Sequence, residues 1–220
     1  MITGIIFDMD GVIFDTERLA LDAWTYAGGQ TGAGITPALV LATVGLDLAH
    51  TRQIFEESLG AELDFDALQV QRILYTKRYI EEHGVPQKPG FAELLEYLKL
   101  HRYKTALATS SQSDRARGFL EQAGLWDSFD VIVCRDDIAV PKPAPDIYLK
   151  AAERLGVSPE DCLALEDSPS GVLSAFRAGM RVVMIPDLVA PDEETGQYLY
   201  GQVAALTDVI LLLSACEREA

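Results

Sequence analysis

The sequence predicts an α/β fold: a parallel sheet flanked by helices, with a small all-α segment inserted after the first strand. Three observations lead there. Short β-branched runs alternate with helix-length periodic segments along most of the chain. The alternation breaks once, between about residues 16 and 86, where the sequence reads as helical throughout. Acidic and hydroxyl residues gather where successive strand-like runs end, the edge at which parallel sheets collect their ligands.

Taken in order, the first strand is "TGIIFD" (3–8), an apolar run that meets Asp8 and Asp10 directly. Helices are then expected near 17–28, 36–44, 47–60 and 64–83, separated by "GGQTGAG" and "GAELD". Gly28, Gly29, Gly32 and Gly34 do not form a dinucleotide loop, because no strand precedes them and the Gly-x-Gly-x-x-Gly spacing fails, so they are expected to be a flexible helix connection. Strands follow at "KTALAT" (104–109), "FDVIVC" (129–134), "CLALED" (162–167) and "RVVMIP" (181–186). Helices are expected at 90–102, 113–124, 145–156 and 169–179, three of them with a glycine near the end. The expected division is an α/β core of residues 1–15 and 87–220 with a helical domain over 16–86.

Composition bounds the function. With 220 residues, 49% apolar and 24% charged, the chain can bury a real core, and no run approaches the roughly 20 apolar residues of a spanning helix. No secretion signal is visible, so the cytoplasm is the expected location, with no membrane association. Cys134, Cys162 and Cys216 are odd in number and fit reduced thiols. A formal charge of -16 with no basic patch argues against nucleic acid and favours small molecules and cations; a monomer is expected.

Four strand ends carry the chemistry: Asp8-Met9-Asp10, Thr109-Ser110-Ser111, Val140-Pro141-Lys142-Pro143 and Glu166-Asp167-Ser168. Each has a plainer use. Thr109 to Ser111 can cap a helix, Lys142 can be a surface lysine, and Glu166-Asp167 can start a helix. An EF-hand is a poor fit, since Val12 and Ile13 stand where an acceptor and the glycine are needed. All four in order at successive strand ends are hard to explain as coincidence.

Through "DMDGVIFDTE", "LATSSQSD", "PKPAPDIY" and "ALEDSPSGV", the chain resembles the haloacid dehalogenase-like superfamily over essentially its whole length. The similarity is to subfamily IA, the branch of phosphatases and β-phosphoglucomutase whose Rossmann-like core carries a helical cap after its first strand. The resemblance implies that Asp8 is the nucleophile, forming an aspartyl-phosphate, and that Asp10 is the general acid and base. It implies Mg2+ held by Asp8, the backbone carbonyl of Asp10 and Asp167, with Glu166 ligating directly or through water. Lys142 resembles the lysine bridging nucleophile and phosphoryl oxygens, and Thr109 with the Ser110 amide resembles the phosphate cradle.

The expected function is a Mg2+-dependent phosphatase of a small phosphorylated metabolite such as a sugar phosphate. The alternative is a β-phosphoglucomutase-like mutase; a non-catalytic phosphate-binding protein ranks below both. Such mutases carry a histidine after the first motif and an arginine in the cap loop, and "DTERLALDAW" and "VGLDLAHT" show neither in register. Asp10 and Glu166-Asp167 argue against the metal-free dehalogenases, and a cap with few lysines gives Schiff-base phosphonate cleavage little support. Arg18, Trp24, Leu46, Asp47, His50 and Lys77 are the candidate substrate-facing residues of the helical segment.

Overall fold

Gly4-Ile5-Ile6-Phe7 is buried along its whole length, as a strand must be when it lies inside a parallel sheet covered on both faces. The computed structural model describes all residues except Gly45, Asp47, Ala61, Val189, Glu219 and Ala220. In chain order its elements are β1 (Gly4–Phe7), α1 (Thr16–Thr31), α2 (Pro37–Leu41), α3 (Leu48–Leu59), α4 (Phe65–His83), α5 (Phe91–Leu100) and β2 (Lys104–Ala108). There follow α6 (Ser113–Gln122), β3 (Val131–Val133), α7 (Asp146–Leu155), β4 (Cys162–Glu166), α8 (Pro169–Arg177), β5 (Arg181–Met184), α9 (Glu193–Gly196), β6 (Gly201–Gln202) and α10 (Leu206–Arg218). They form two compact units, Met1–Phe14 with Gln87–Ala220, and Asp15–Pro86.

The first unit holds a six-stranded sheet in the order β3-β2-β1-β4-β5-β6, with every pair parallel. Strand order reverses between β1 and β4, which opens a crevice at their carboxyl ends. One face is lined by small residues, Ala106, Ala108 and Ala164, which let Ala151, Ala152 and Tyr148 of α7 approach closely. On the Phe7 side, Phe91 and Phe129 both meet that ring edge-on at 5.8 Å.

The third strand is shorter than its expected 129–134. Phe129 turns into the core, and Cys134 leaves the ladder to open a 3-10 turn whose Asp137 carboxylate accepts from the Cys134 amide at 2.9 Å. Beyond residue 186 no elements were expected, yet α9, β6 and α10 follow. β6 is only Gly201–Gln202, with no β-branched residue to signal a strand, and the near-continuous apolar run of α10 has no clear helical period.

The second unit is built from α1 to α4 around Trp24, Ala27, Val40, Phe55, Phe65 and Leu68. Trp24 packs at 5.2 Å from Phe55 and 5.5 Å from Phe65, with the Arg72 guanidinium 5.0 Å over its ring. The glycine cluster is not the flexible connection expected. α1 continues through Gly28 and Gly29 and stops at Gly32, which caps it with φ 69°. Gly28 is required by contact, since a Cβ there would lie 2.5 Å from that of Ile35. Among the described residues no helix is long and apolar enough to cross a membrane.

Candidate active site

The site begins where β1 ends. The Asp8 amide extends the β1–β4 ladder by one bond, donating to the Leu165 carbonyl at 3.0 Å. The chain then folds back tightly: Ile13 and Phe14 amides both bond the Met9 carbonyl, at 2.9 and 3.0 Å, and Gly11 adopts φ 81°. Only glycine fits there, because a Cβ would fall 2.0 Å from Asp167 Oδ2. The Asp167 carboxylate, from the end of β4, is thereby seated against the loop that carries Asp10.

Lys142 joins the strand ends. Its ammonium lies 2.6 Å from Asp8 Oδ1 and 2.6 Å from Glu166 Oε1, and reaches the Ala108 carbonyl at 3.2 Å. The side chain is 6% exposed. Glu166 is fully buried and engaged on both oxygens. Oε1 also accepts from Tyr148 Oη at 2.6 Å, while Oε2 accepts from the Asp167 amide, the Ser168 amide and Ser168 Oγ at 3.1 to 3.3 Å. A direct bond from Glu166 to a metal would have to displace some of these partners.

Thr109 is buried at the end of β2, and its Oγ1 accepts from the Ser111 amide at 3.0 Å while Ser110 is exposed beside it. Asp10 is drawn toward the same segment. Its Oδ2 accepts from Ser111 Oγ at 2.9 Å, and Arg115 Nη2 donates to its Oδ1 at 2.8 Å. All the residues marked from sequence at the four strand ends therefore lie in the first unit, at the carboxyl edge of the sheet.

Three participants escaped the sequence analysis: Tyr148, Arg115 and Gly171. Tyr148 lies within the "PKPAPDIY" run and Arg115 within the helix expected at 113–124, and nothing in either segment singles them out. Gly171 allows Glu166 its place, since a Cβ there would sit 1.8 Å from Glu166 Oε1. Among the substrate-facing candidates, Trp24 belongs instead to the core of the helical unit. Arg18, Leu46, His50 and Lys77 are exposed, with Arg18 3.4 Å from Asp15 and Lys77 3.8 Å from Glu81, and Asp47 lies outside the described residues.

Burial pushes the Asp8 carboxyl up; Lys142 opposes the rise, Glu166 and Asp10 reinforce it, and the result is about 7. Burial alone would lower Lys142, but Asp8 and Glu166 more than reverse that and hold it charged, above its ordinary range. Burial, then the Glu166 charge, drives the Tyr148 hydroxyl well above its ordinary value, so it stays a donor.

This chemistry suits a hard divalent cation. Asp8, Asp10, Glu166 and Asp167 bring four carboxylates against the cations Lys142 and Arg115, a net excess of two negative charges (4 − 2) on oxygen donors only. Burial works against the charged form of Asp8, and a cation beside it would favour the anion. Among the described residues no three His, Cys, Asp or Glu side chains converge into a cage.

The haloacid dehalogenase-like hydrolase model matches residues 5–185. The chain belongs to the haloacid dehalogenase-like hydrolases. Its relatives include the phosphorylated carbohydrates phosphatase of Thermotoga maritima, 34% identical over 96% of this chain and 90% of that protein. The β-phosphoglucomutase of Bacillus subtilis is 32% identical over 82% of this chain and 81% of its own. Among solved structures, CbbY from Rhodobacter sphaeroides in complex with phosphate superposes with a TM-score of 0.72 at 26% identity, covering 95% of this chain and 96% of that one. This hydrolase is thus a phosphomonoesterase of its family.

In an ordinary helix, replacing a glycine by alanine stabilises by roughly 0.5–1 kcal/mol. At Gly171 the sign should reverse, because the new methyl must expel the Glu166 carboxylate that holds Lys142. Gly171→Ala is expected to cost about 1–3 kcal/mol by denaturant unfolding and to lower kcat/KM at least about tenfold. A variant as stable and active as the parent would show that Glu166 need not sit where it does.

Proposed function

We propose that the protein is a Mg2+-dependent phosphatase of small phosphorylated metabolites, sugar phosphates being the substrate class, and that it works through an aspartyl-phosphate on Asp8. The observation that carries this is the Asp8–Lys142–Glu166 cluster at the crevice between β1 and β4. It holds a carboxylate nucleophile in a fixed orientation beside a permanent positive charge. The substrate class rests on relatives named for phosphorylated carbohydrates and for fructose-1-phosphate, and the second unit, Asp15–Pro86, is proposed to act as the substrate-selecting cap.

In the first half-reaction Asp8 attacks phosphorus, and the bond to the leaving oxygen breaks as Asp10 protonates that oxygen. In the second, Asp10 takes a proton from water, which attacks the aspartyl-phosphate and releases inorganic phosphate and free Asp8. Lys142 offsets the charge on Asp8 and the phosphoryl oxygens in both halves, and Thr109 with the Ser110 amide would receive the phosphate. Asp8, Asp167 and the Asp10 carbonyl would hold Mg2+, which would supply the further positive charge that lets a carboxylate approach a phosphate dianion. Glu166 would contribute to holding the ion, directly or through water, and it holds Lys142 in place.

Asp8→Asn is expected to keep the fold, as judged by circular dichroism, and to lower turnover at least about 1,000-fold, equivalent to about 4 kcal/mol. Retention of more than a thousandth of the activity would remove the nucleophile assignment. Exhaustive chelation should abolish turnover and added Mg2+ restore it; activity surviving chelation would sink the metal assignment.

A phosphomutase is the second possibility, favoured by the β-phosphoglucomutase relative and disfavoured by the histidine and arginine missing from register. Phosphorus NMR of the enzyme with Mg2+, β-glucose 1-phosphate and a trace of the bisphosphate decides between them. Free phosphate should form at least as fast as glucose 6-phosphate, or this sugar should turn over slowly beside another metabolite. Many turnovers to glucose 6-phosphate with almost no free phosphate would establish the mutase instead.

A further inference from the structure

Asp10, whose side chain is 22% exposed, is held more firmly than a carboxylate in contact with water needs to be. Arg115 places Nη2 2.8 Å from Oδ1 and Nη1 3.4 Å from Oδ2, and Nη1 also donates to Ser111 Oγ at 2.6 Å, which in turn donates to Oδ2 at 2.9 Å. Both carboxylate oxygens are therefore fixed by a planar fork and a wedge, the contact that arginine makes and lysine does not.

Arg115 is itself anchored. Its guanidinium lies 4.9 Å over the Phe119 ring, one turn further along α6, and Phe119 meets Phe14 edge-on at 5.8 Å. Phe14 pairs with Asp10 across the same tight turn, where the Gly11 amide donates to the Phe14 carbonyl at 2.8 Å. The contacts close a circuit from Asp10 through Arg115, Phe119 and Phe14 back to the Asp10 loop. Exposed ion pairs stabilise folds little, and the Arg115 side chain is 50% exposed, so stability does not account for this arrangement.

We infer that Arg115, with Ser111, is a positioning residue that orients the Asp10 carboxyl for proton transfer to the leaving group. The inference rests on the proposed acid role of Asp10. Proton transfer in the transition state contributes about 10²–10⁴-fold and needs the acid within hydrogen-bond reach, so a loosened Asp10 should lose part of that factor.

Two phosphate esters of similar size separate this from a structural role. Benzyl phosphate departs as an alkoxide and needs a proton; p-nitrophenyl phosphate departs as a stable phenolate and does not. kcat/KM, which reports the steps up to loss of the leaving group, is measured for both with wild type, Arg115→Ala, Arg115→Lys and Asp10→Asn, after thermal unfolding shows each folded. Arg115→Ala is expected to lose about 10- to 100-fold on benzyl phosphate and no more than about threefold on p-nitrophenyl phosphate. Arg115→Lys should recover part of the difference, and Asp10→Asn should show the same asymmetry, larger. Equal losses on both esters in Arg115→Ala beside an asymmetric Asp10→Asn would overturn the inference while leaving Asp10 as the acid. Equal losses in Asp10→Asn itself, or a wild type inert toward both esters, would remove the acid role or the phosphatase assignment, and this inference with it.

Discussion

The site depends on one buried cation. The Lys142 ammonium is almost entirely removed from water, which would cost several kcal/mol if it were unpaired, and it is held by two carboxylates at 2.6 Å. The dependence runs both ways. Asp8 and Glu166 stand at the ends of the neighbouring strands β1 and β4, and without the ammonium each would face the other as a buried like charge. The lysine thus ties the two central strands to the segment leading into α7, and Tyr148 and Gly171 are fitted around the carboxylate that completes it.

The second carboxylate of the first motif lives under different rules. Asp8 is buried at the end of β1, whereas Asp10 sits on the turn beyond it and is partnered by Ser111, which follows β2, and by Arg115 near the start of α6. One strand end therefore supplies two carboxylates in contrasting surroundings, as enzymes arrange when one acid must attack and the other must exchange protons. In the proposed mechanism that contrast divides the labour between them.

Much of this was legible in the sequence because it is local. β1, β2, β4 and β5 are runs of apolar and β-branched residues between turn signals, and the four polar strand ends follow each other in register with the expected sheet. What was missed is what only packing decides. β3 loses its ends because Phe129 packs in the core and Cys134 opens a 3-10 turn, and β6 has no strand-like sequence at all. Gly28 reads as part of a flexible helix connection until Ile35 is seen lying against it. Tyr148 and Arg115 have ordinary sequence environments, and their roles come from partners 18 and 105 residues away along the chain.

The Asp8 amide is part of the sheet ladder, bonded to Leu165 between two central strands. Amides so placed exchange their hydrogens with solvent only when a large part of the unit opens, whereas the half-exposed start of a helix opens by local fraying. The two sides of the crevice therefore belong to different tiers of the native-state ensemble. The side that carries the carboxylate at the end of β1 is as durable as the fold itself, and the side that holds Asp10 through Arg115 can be remodelled by fluctuations that leave the sheet intact.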